Sequence, residues 1–125
     1  MVRLPDYEKI GRKKIFKDCN IKRHRIVAFA FTKSGMIITH ETNRLGSGIV
    51  SDFSWHAEEF LADKLKKIAA INRYGDIHVL VTRLGRAKGW TMAKPCDGCQ
   101  RKLRLSGVVS VFYTEDNGNI VEMKP

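Results

Sequence analysis

The chain has 125 residues, 43% of them hydrophobic, which suits one domain with a real core and gives no reason to expect a second. Its 23 Lys and Arg against 13 Asp and Glu leave a formal net charge of +10, a field that favours a polyanionic partner. No apolar run approaches a membrane span, no signal-peptide core opens the chain, and three cysteines give no disulfide framework; a reducing, cytoplasmic setting without a membrane partner is expected.

A loop opens the chain, and a helix is expected from about Asp6, where Tyr7, Ile10 and Ile15 or Phe16 form an apolar stripe that Gly11 weakens. Basic side chains crowd Arg12 to Lys17 and Lys22 to Arg25. Ile26 to Phe31 is apolar at every position, as in a central strand covered on both faces. Lys33-Ser34-Gly35 reads as a turn and Met36 to His40 as the second strand of a hairpin, with a loop from Thr42 to Gly48. Ser54 reads as the N-cap of a helix running from Trp55 to Tyr74. Ala57, Phe60, Leu61, Leu65, Ile68 and Ile71 make its apolar side, and Gly75 its stop. A third strand follows at Ile77 to Thr82, then a basic loop from Arg83 to Thr91 and a helix from Pro95 to about Ser106. Val108 to Tyr113 is a fourth strand. Asp116-Asn117-Gly118 then turns the chain into an antiparallel fifth strand, Ile120 to Met123. Residues 1–125 read as a single domain with no repeat or linker.

Two of the cysteines, Cys96 and Cys99, lie three positions apart. If a helix starts at Pro95, both sulfurs fall on one face of its first turn, beside the positive end of the helix dipole, which favours thiolates. Cys19 reads as a small buried hydrophobe. Upstream, His56 and Glu58 open the preceding helix. One His and two Cys give three protein ligands, the number that leaves a zinc ion a position for water. Glu58 then reads as a proton carrier beside that water. Taken alone, C-x-x-C reads equally as a redox pair, and H-x-E as a surface helix start.

Together these residues match the pattern H-x-E…P-C-x-x-C through His56, Glu58, Pro95, Cys96 and Cys99, and the chain resembles the cytidine deaminase superfamily of zinc-dependent nucleobase deaminases. The resemblance implies an α/β fold: one three-layer domain, a five-stranded mixed sheet flanked by helices, with the two ligand-bearing helices on one face. The short link between the last two strands resembles the branch that ends in an antiparallel hairpin. The resemblance further implies one catalytic zinc held by His56, Cys96 and Cys99. Glu58 would pass a proton from water to the base and then help ammonia leave.

The same resemblance points to substrate contacts. The Ala57 backbone N–H would meet the pyrimidine carbonyl. Asn43 resembles a sugar-binding asparagine, and reads otherwise as a turn residue. Trp90 reads as a residue that stacks on a base or sugar near the cysteine helix and Trp55 as a wall of the pocket, or each as core. Lys94 stands where many cytosine deaminases have Ser, and a cation there would meet a phosphate. His24, His40 and His78 read as satisfied by local hydrogen bonds. The leading expectation is deamination of cytosine in single-stranded nucleic acid, DNA before RNA, with Arg83, Arg86, Lys88, Arg101, Lys102 and Arg104 holding phosphates. Two alternatives stay open: a deaminase of free cytidine, deoxycytidine or a nucleotide, and a zinc-stabilised nucleic-acid-binding module without turnover. The oligomeric state is open.

Overall fold

The computed structural model describes residues 2–11, 25–45, 54–84 and 89–125. Arg12 to His24, with Cys19, and the loop residues Arg86 and Lys88 lie outside the described residues. The elements in chain order are α1 (7–11), β1 (Arg25–Phe31), β2 (Ile37–Thr42), β3 (Arg44–Leu45), β4 (Ser54–Trp55), α2 (Ala57–Lys67), α3 (Ala70–Tyr74), β5 (Ile77–Leu84), β6 (Trp90–Thr91), α4 (Asp97–Leu105), β7 (Val108–Thr114) and β8 (Ile120–Met123).

The main sheet has the strand order β2-β1-β5-β7-β8, with the short β6 paired to β5 at its side. The expected mixed five-strand sheet is therefore present, and β6 adds a sixth, two-residue strand. β1 pairs antiparallel with both β2 and β5, β5 runs parallel to β7 across the α4 connection, and β8 returns antiparallel to β7. A parallel pair needs a crossover, and α4 supplies it. The last two strands form the expected hairpin. Gly118 takes a positive φ of 81° at its turn, and Asn119 N–H donates to Asn117 Oδ1 at 2.9 Å.

Two cores lie on opposite faces of the sheet, which explains why β1 is apolar at consecutive positions. Ala28 and Ala30 face a core shared with Leu61, Leu65, Ile77, Val79, Leu103 and Val111, beneath α2, α3 and α4. Val27, Phe29 and Phe31 face the other, with Leu80, Leu84 and Trp90, covered by Leu4, Tyr7 and Ile10. Asp6 caps α1, accepting from Lys9 N–H at 3.4 Å. Across the parallel pair, His78 Nδ1 and Ser110 Oγ lie 2.5 Å apart in a buried hydrogen bond, as expected for that histidine. His40 departs from expectation: its buried Nδ1 has no hydrogen-bond partner, and the ring packs edge-on against Phe29 at 6.1 Å.

The helix expected from Trp55 to Tyr74 is in fact two. Trp55 belongs to β4, paired with Arg44 in β3. Ser54 is thus in a strand, and His56 is the N-cap of α2. The chain then breaks at Ala69, which holds the left-handed conformation at φ 49° and ψ 47°. The break turns Ile68 and Ile71 outward, where the apolar period had placed them in the core. An alanine in that conformation costs about 1–2 kcal/mol. Ala69→Gly removes the strain, so this variant is expected to gain roughly 1 kcal/mol in denaturant unfolding; a loss of stability would contradict the geometry of the break.

Candidate active site

The two ligand-bearing segments meet because α2 and α4 pack side by side on one sheet face, Leu61 and Leu103 sharing the same core. Their N-termini converge. His56 is the N-cap of α2 with φ −73° and ψ 140°, and Cys96 is the N-cap of α4 with φ −66° and ψ 164°. Helix α4 therefore begins at Asp97, two residues later than expected, and Pro95 precedes the cap. Cys96 Sγ accepts from the Cys99 N–H at 3.4 Å, the bond an N-cap side chain makes to the third helical residue. Gln100 reaches back and donates to the Pro95 carbonyl at 2.8 Å, which fixes the entry into the helix.

The ligand atoms lie close together. His56 Nδ1 is 3.2 Å from Cys99 Sγ and 3.8 Å from Cys96 Sγ, and all three ligand atoms fall within 4.8 Å of one another. A tetrahedral zinc with its usual Zn–N and Zn–S lengths separates such atoms by about 3.5 Å, so the donor set fits a single zinc-sized ion. Among the described residues it is the one cluster of three or more such groups. Burial, foremost, raises the Cys99 thiol above its ordinary range, and the charge of Glu58 adds to that. The favourable thiolate expected from the helix dipole is thus outweighed in the protein alone. A cation between the sulfurs reverses the balance, because a coordinating thiol loses its proton.

Glu58 is the second residue of α2, within its first turn, and is only 4% exposed. Its Oε1 is buried without a hydrogen-bond partner. Desolvation is the main cause that raises its pKa; its own backbone N–H, His56 and the Cys99 thiol pull the other way. A buried acceptor of this kind calls for a donor. Ala57 is fully buried at the first helical position, where a backbone N–H has no partner within the helix.

The other expected contacts divide. Asn43 is buried, and its Oδ1 accepts from Ile26 N–H at 2.9 Å while its own N–H donates to the Ile26 carbonyl; it closes the end of β1. Trp90 is a correction. It is 7% exposed in the core on the opposite face of the sheet, edge-on to Tyr7 at 5.8 Å, with Nε1 donating to Glu8. An apolar ring on β6 has that core to fill, so Trp90 does not wall the ligand cluster. Only the backbone of Trp55 is described. Lys94, Arg101 and Arg104 are exposed, and Arg83 is half-buried with Nη1 3.5 Å from the Met92 carbonyl. Lys102 donates to Glu59 Oε2 at 2.7 Å, which places a carboxylate on one of the cations expected to hold phosphate.

The Glu59–Lys102 pair went unnoticed in the sequence, although its spacing carries a signal. Glu59 follows His56 by three positions and Lys102 follows Cys99 by three, so each lies one turn behind a ligand on the same helix face. The ion pair therefore ties α2 to α4 directly behind the His56–Cys99 contact. Residues 91–93 are pinned as well: Thr114 Oγ1 donates to the Thr91 carbonyl at 2.6 Å, Met92 N–H to Asp116 Oδ1 at 3.0 Å, and Ala93 N–H to the Thr114 carbonyl at 2.8 Å. This anchors the segment that delivers Cys96.

Purified with zinc, the protein is expected to hold about one ion per chain, to lose it in His56→Ala or Cys96→Ser, and to melt several degrees lower after chelation; unchanged zinc content in both variants would contradict the assignment. Because exposed ion pairs contribute about 0.2–1 kcal/mol, Glu59→Lys alone should weaken zinc affinity by only a few-fold. Adding Lys102→Glu should recover most of it. A swap no better than the single variant would show that the pair does not set the helix spacing.

The sequence matches no protein-family model, and no curated protein is similar to it. Solved structures are similar. A dCMP deaminase from the cyanophage S-TIM5, in complex with dCMP and dUMP, superposes with a TM-score of 0.52 at 19% identity, covering 88% of this chain and 79% of that one. A cytidine deaminase from Mycobacterium leprae superposes with a TM-score of 0.53 at 14% identity, covering 92% of this chain and 88% of that one. The chain therefore has the fold of the cytidine deaminase superfamily.

Proposed function

We propose that this protein is a zinc-dependent hydrolytic deaminase that converts cytosine to uracil in single-stranded nucleic acid, DNA before RNA. The observation that carries the reading is Glu58: a buried carboxylate with an unpartnered oxygen, two positions from His56 and in hydrogen-bond contact with Cys99. A site built only to hold a structural ion has no use for a desolvated carboxylate there. His56 Nδ1 and the sulfurs of Cys96 and Cys99 would hold the zinc, whose contribution is to make water more acidic and more nucleophilic.

In the overall reaction a water oxygen bonds to C4 of the base, the C4–N bond breaks, and ammonia leaves behind a carbonyl. Glu58 would accept a proton from the water and deliver it to the ring nitrogen, then take the second proton from the new C4 hydroxyl, as that becomes the carbonyl, and give it to the departing amine. One carboxylate serves both directions: burial raises its pKa above the ordinary carboxylate value, which favours holding the proton it takes until it is handed on. The Ala57 N–H, oriented by the first turn of α2, offers a donor to the base carbonyl. Support for a polymeric substrate comes from the net charge of +10 and from Lys94, Arg101 and Arg104, exposed before and along α4. A single strand presents its bases without the cost of flipping them out of a duplex.

A second reading, a deaminase of free cytidine, deoxycytidine or dCMP, is favoured by the antiparallel β7–β8 ending and by the nucleoside and nucleotide deaminases among the similar structures. Mass spectrometry separates the two. A cytosine-containing oligonucleotide is expected to gain the mass change of C to U at low salt, faster than deoxycytidine or dCMP releases ammonia. Conversion of the free compounds alone selects the second reading, and zinc-loaded protein that converts none of them is a binding module. Glu58→Gln should retain zinc and lose roughly a thousandfold in rate.

A further inference from the structure

At the far end of the ligand-bearing helices lies a groove of about 360 Å³, its lining including Leu65, Lys66, Ile71, Arg104, Leu105 and Gly107. It belongs to the last turns of α2 and α4, whereas His56 and Cys96 cap their first turns. At 1.5 Å per residue, Leu65 is about 13 Å along α2 from His56, so an occupant of the groove would leave the ligand cluster open.

Three features distinguish this groove from ordinary surface. Its rim is apolar and exposed: Ile71 is 52% exposed and Leu105 62%. Aliphatic side chains grouped in this way mark interaction sites more often than single ones do. The groove also depends on unusual backbone. The left-handed Ala69 turns Ile71 outward, and Ile71 in turn lies on Gly107, where a Cβ would sit 2.8 Å from Ile71 Cδ1. Finally, the charged lining residues, Lys66 and Arg104, are both cations.

We propose that this groove docks an acidic amphipathic segment of a partner protein, apolar side chains seated on Ile71 and Leu105 and carboxylates against Lys66 and Arg104. Charge selects the occupant. A second copy of the chain would bring another +10 molecule and the same two cations to the contact, and like charges facing each other across an interface oppose it. An exposed aliphatic rim flanked by two cations matches a helix that alternates Leu and Glu faces. The inference stands whether or not the chain deaminates anything.

The test uses the full chain, labelled with 15N, and three synthetic peptides: an amphipathic Leu/Glu helix, its Leu/Lys counterpart, and a version with each Leu replaced by Ser. The Leu/Glu peptide is expected to shift the amide signals of Ile71, Asn72, Leu105 and Gly107 saturably while sparing those of Glu58 and Cys96. Binding should weaken several-fold in about 0.3 M salt. Leu105→Asp, at the most exposed of these positions, should bind roughly tenfold more weakly with zinc content and melting temperature unchanged, and Lys66→Glu should do the same through charge. No saturable shift, equal binding of the Leu/Lys or Ser peptide, shifts centred on the zinc-ligand end, or concentration-dependent self-association through Leu105 would each overturn the proposal.

Discussion

The structure depends on two helix N-termini being brought to one point. Helices α2 and α4 lie side by side because Leu61 and Leu103 are buried in the same core against β1, β5 and β7. Everything chemical follows from that packing. The caps of the two helices face each other, so residues 43 positions apart in sequence put a ring nitrogen 3.2 Å from a sulfur. Each cap adopts extended backbone angles, which lets its side chain turn across the helix end towards the other. Two positive helix ends directed at one spot favour anionic ligands there.

The surroundings of the cluster tune the same residues. Burial raises both the Cys99 thiol and the Glu58 carboxyl above their ordinary ranges. For the thiol this favours the protonated form in the absence of a cation. For the carboxyl it means readiness to carry a proton. Behind the cluster, Glu59 and Lys102 join the helices a second time, and ahead of it Gln100, Thr114 and Asp116 fix the chain that enters α4. The ligands are therefore held by packing, by an ion pair and by backbone hydrogen bonds, all outside the cluster itself. Such support is what keeps a site organised before its ligand binds.

Much of this is legible in the sequence, for identifiable reasons. The strands of the sheet are marked by apolar runs and turn residues, as at Ile26 to Phe31 and Asp116-Asn117-Gly118. The ligand set follows from the joint pattern of His56, Glu58, Pro95, Cys96 and Cys99 and the resemblance it carries, since each half alone has other readings. Three features escape. The helix cap was assigned to Ser54 because cap statistics favour serine, whereas strand pairing with Leu45 takes that residue. The break at Ala69 has no glycine or proline to announce it; an apolar period of 3.6 runs through Ile68 and Ile71, and only tertiary packing shows that they face outward. Trp90 reads as a pocket residue as readily as a core residue, since no local pattern says which sheet face a two-residue strand presents. In each case a contact distant in sequence outweighs a local preference.

The central claim is that one nitrogen and two sulfurs hold a single ion whose remaining position stays open to solvent. X-ray absorption spectroscopy at the zinc edge of the loaded protein tests it most directly. The account predicts two sulfur neighbours at about 2.3 Å and two lighter atoms at about 2.0–2.2 Å, of which only one belongs to the His56 ring. A shell of four protein ligands, a third sulfur, or a spectrum unchanged in His56→Ala would contradict it.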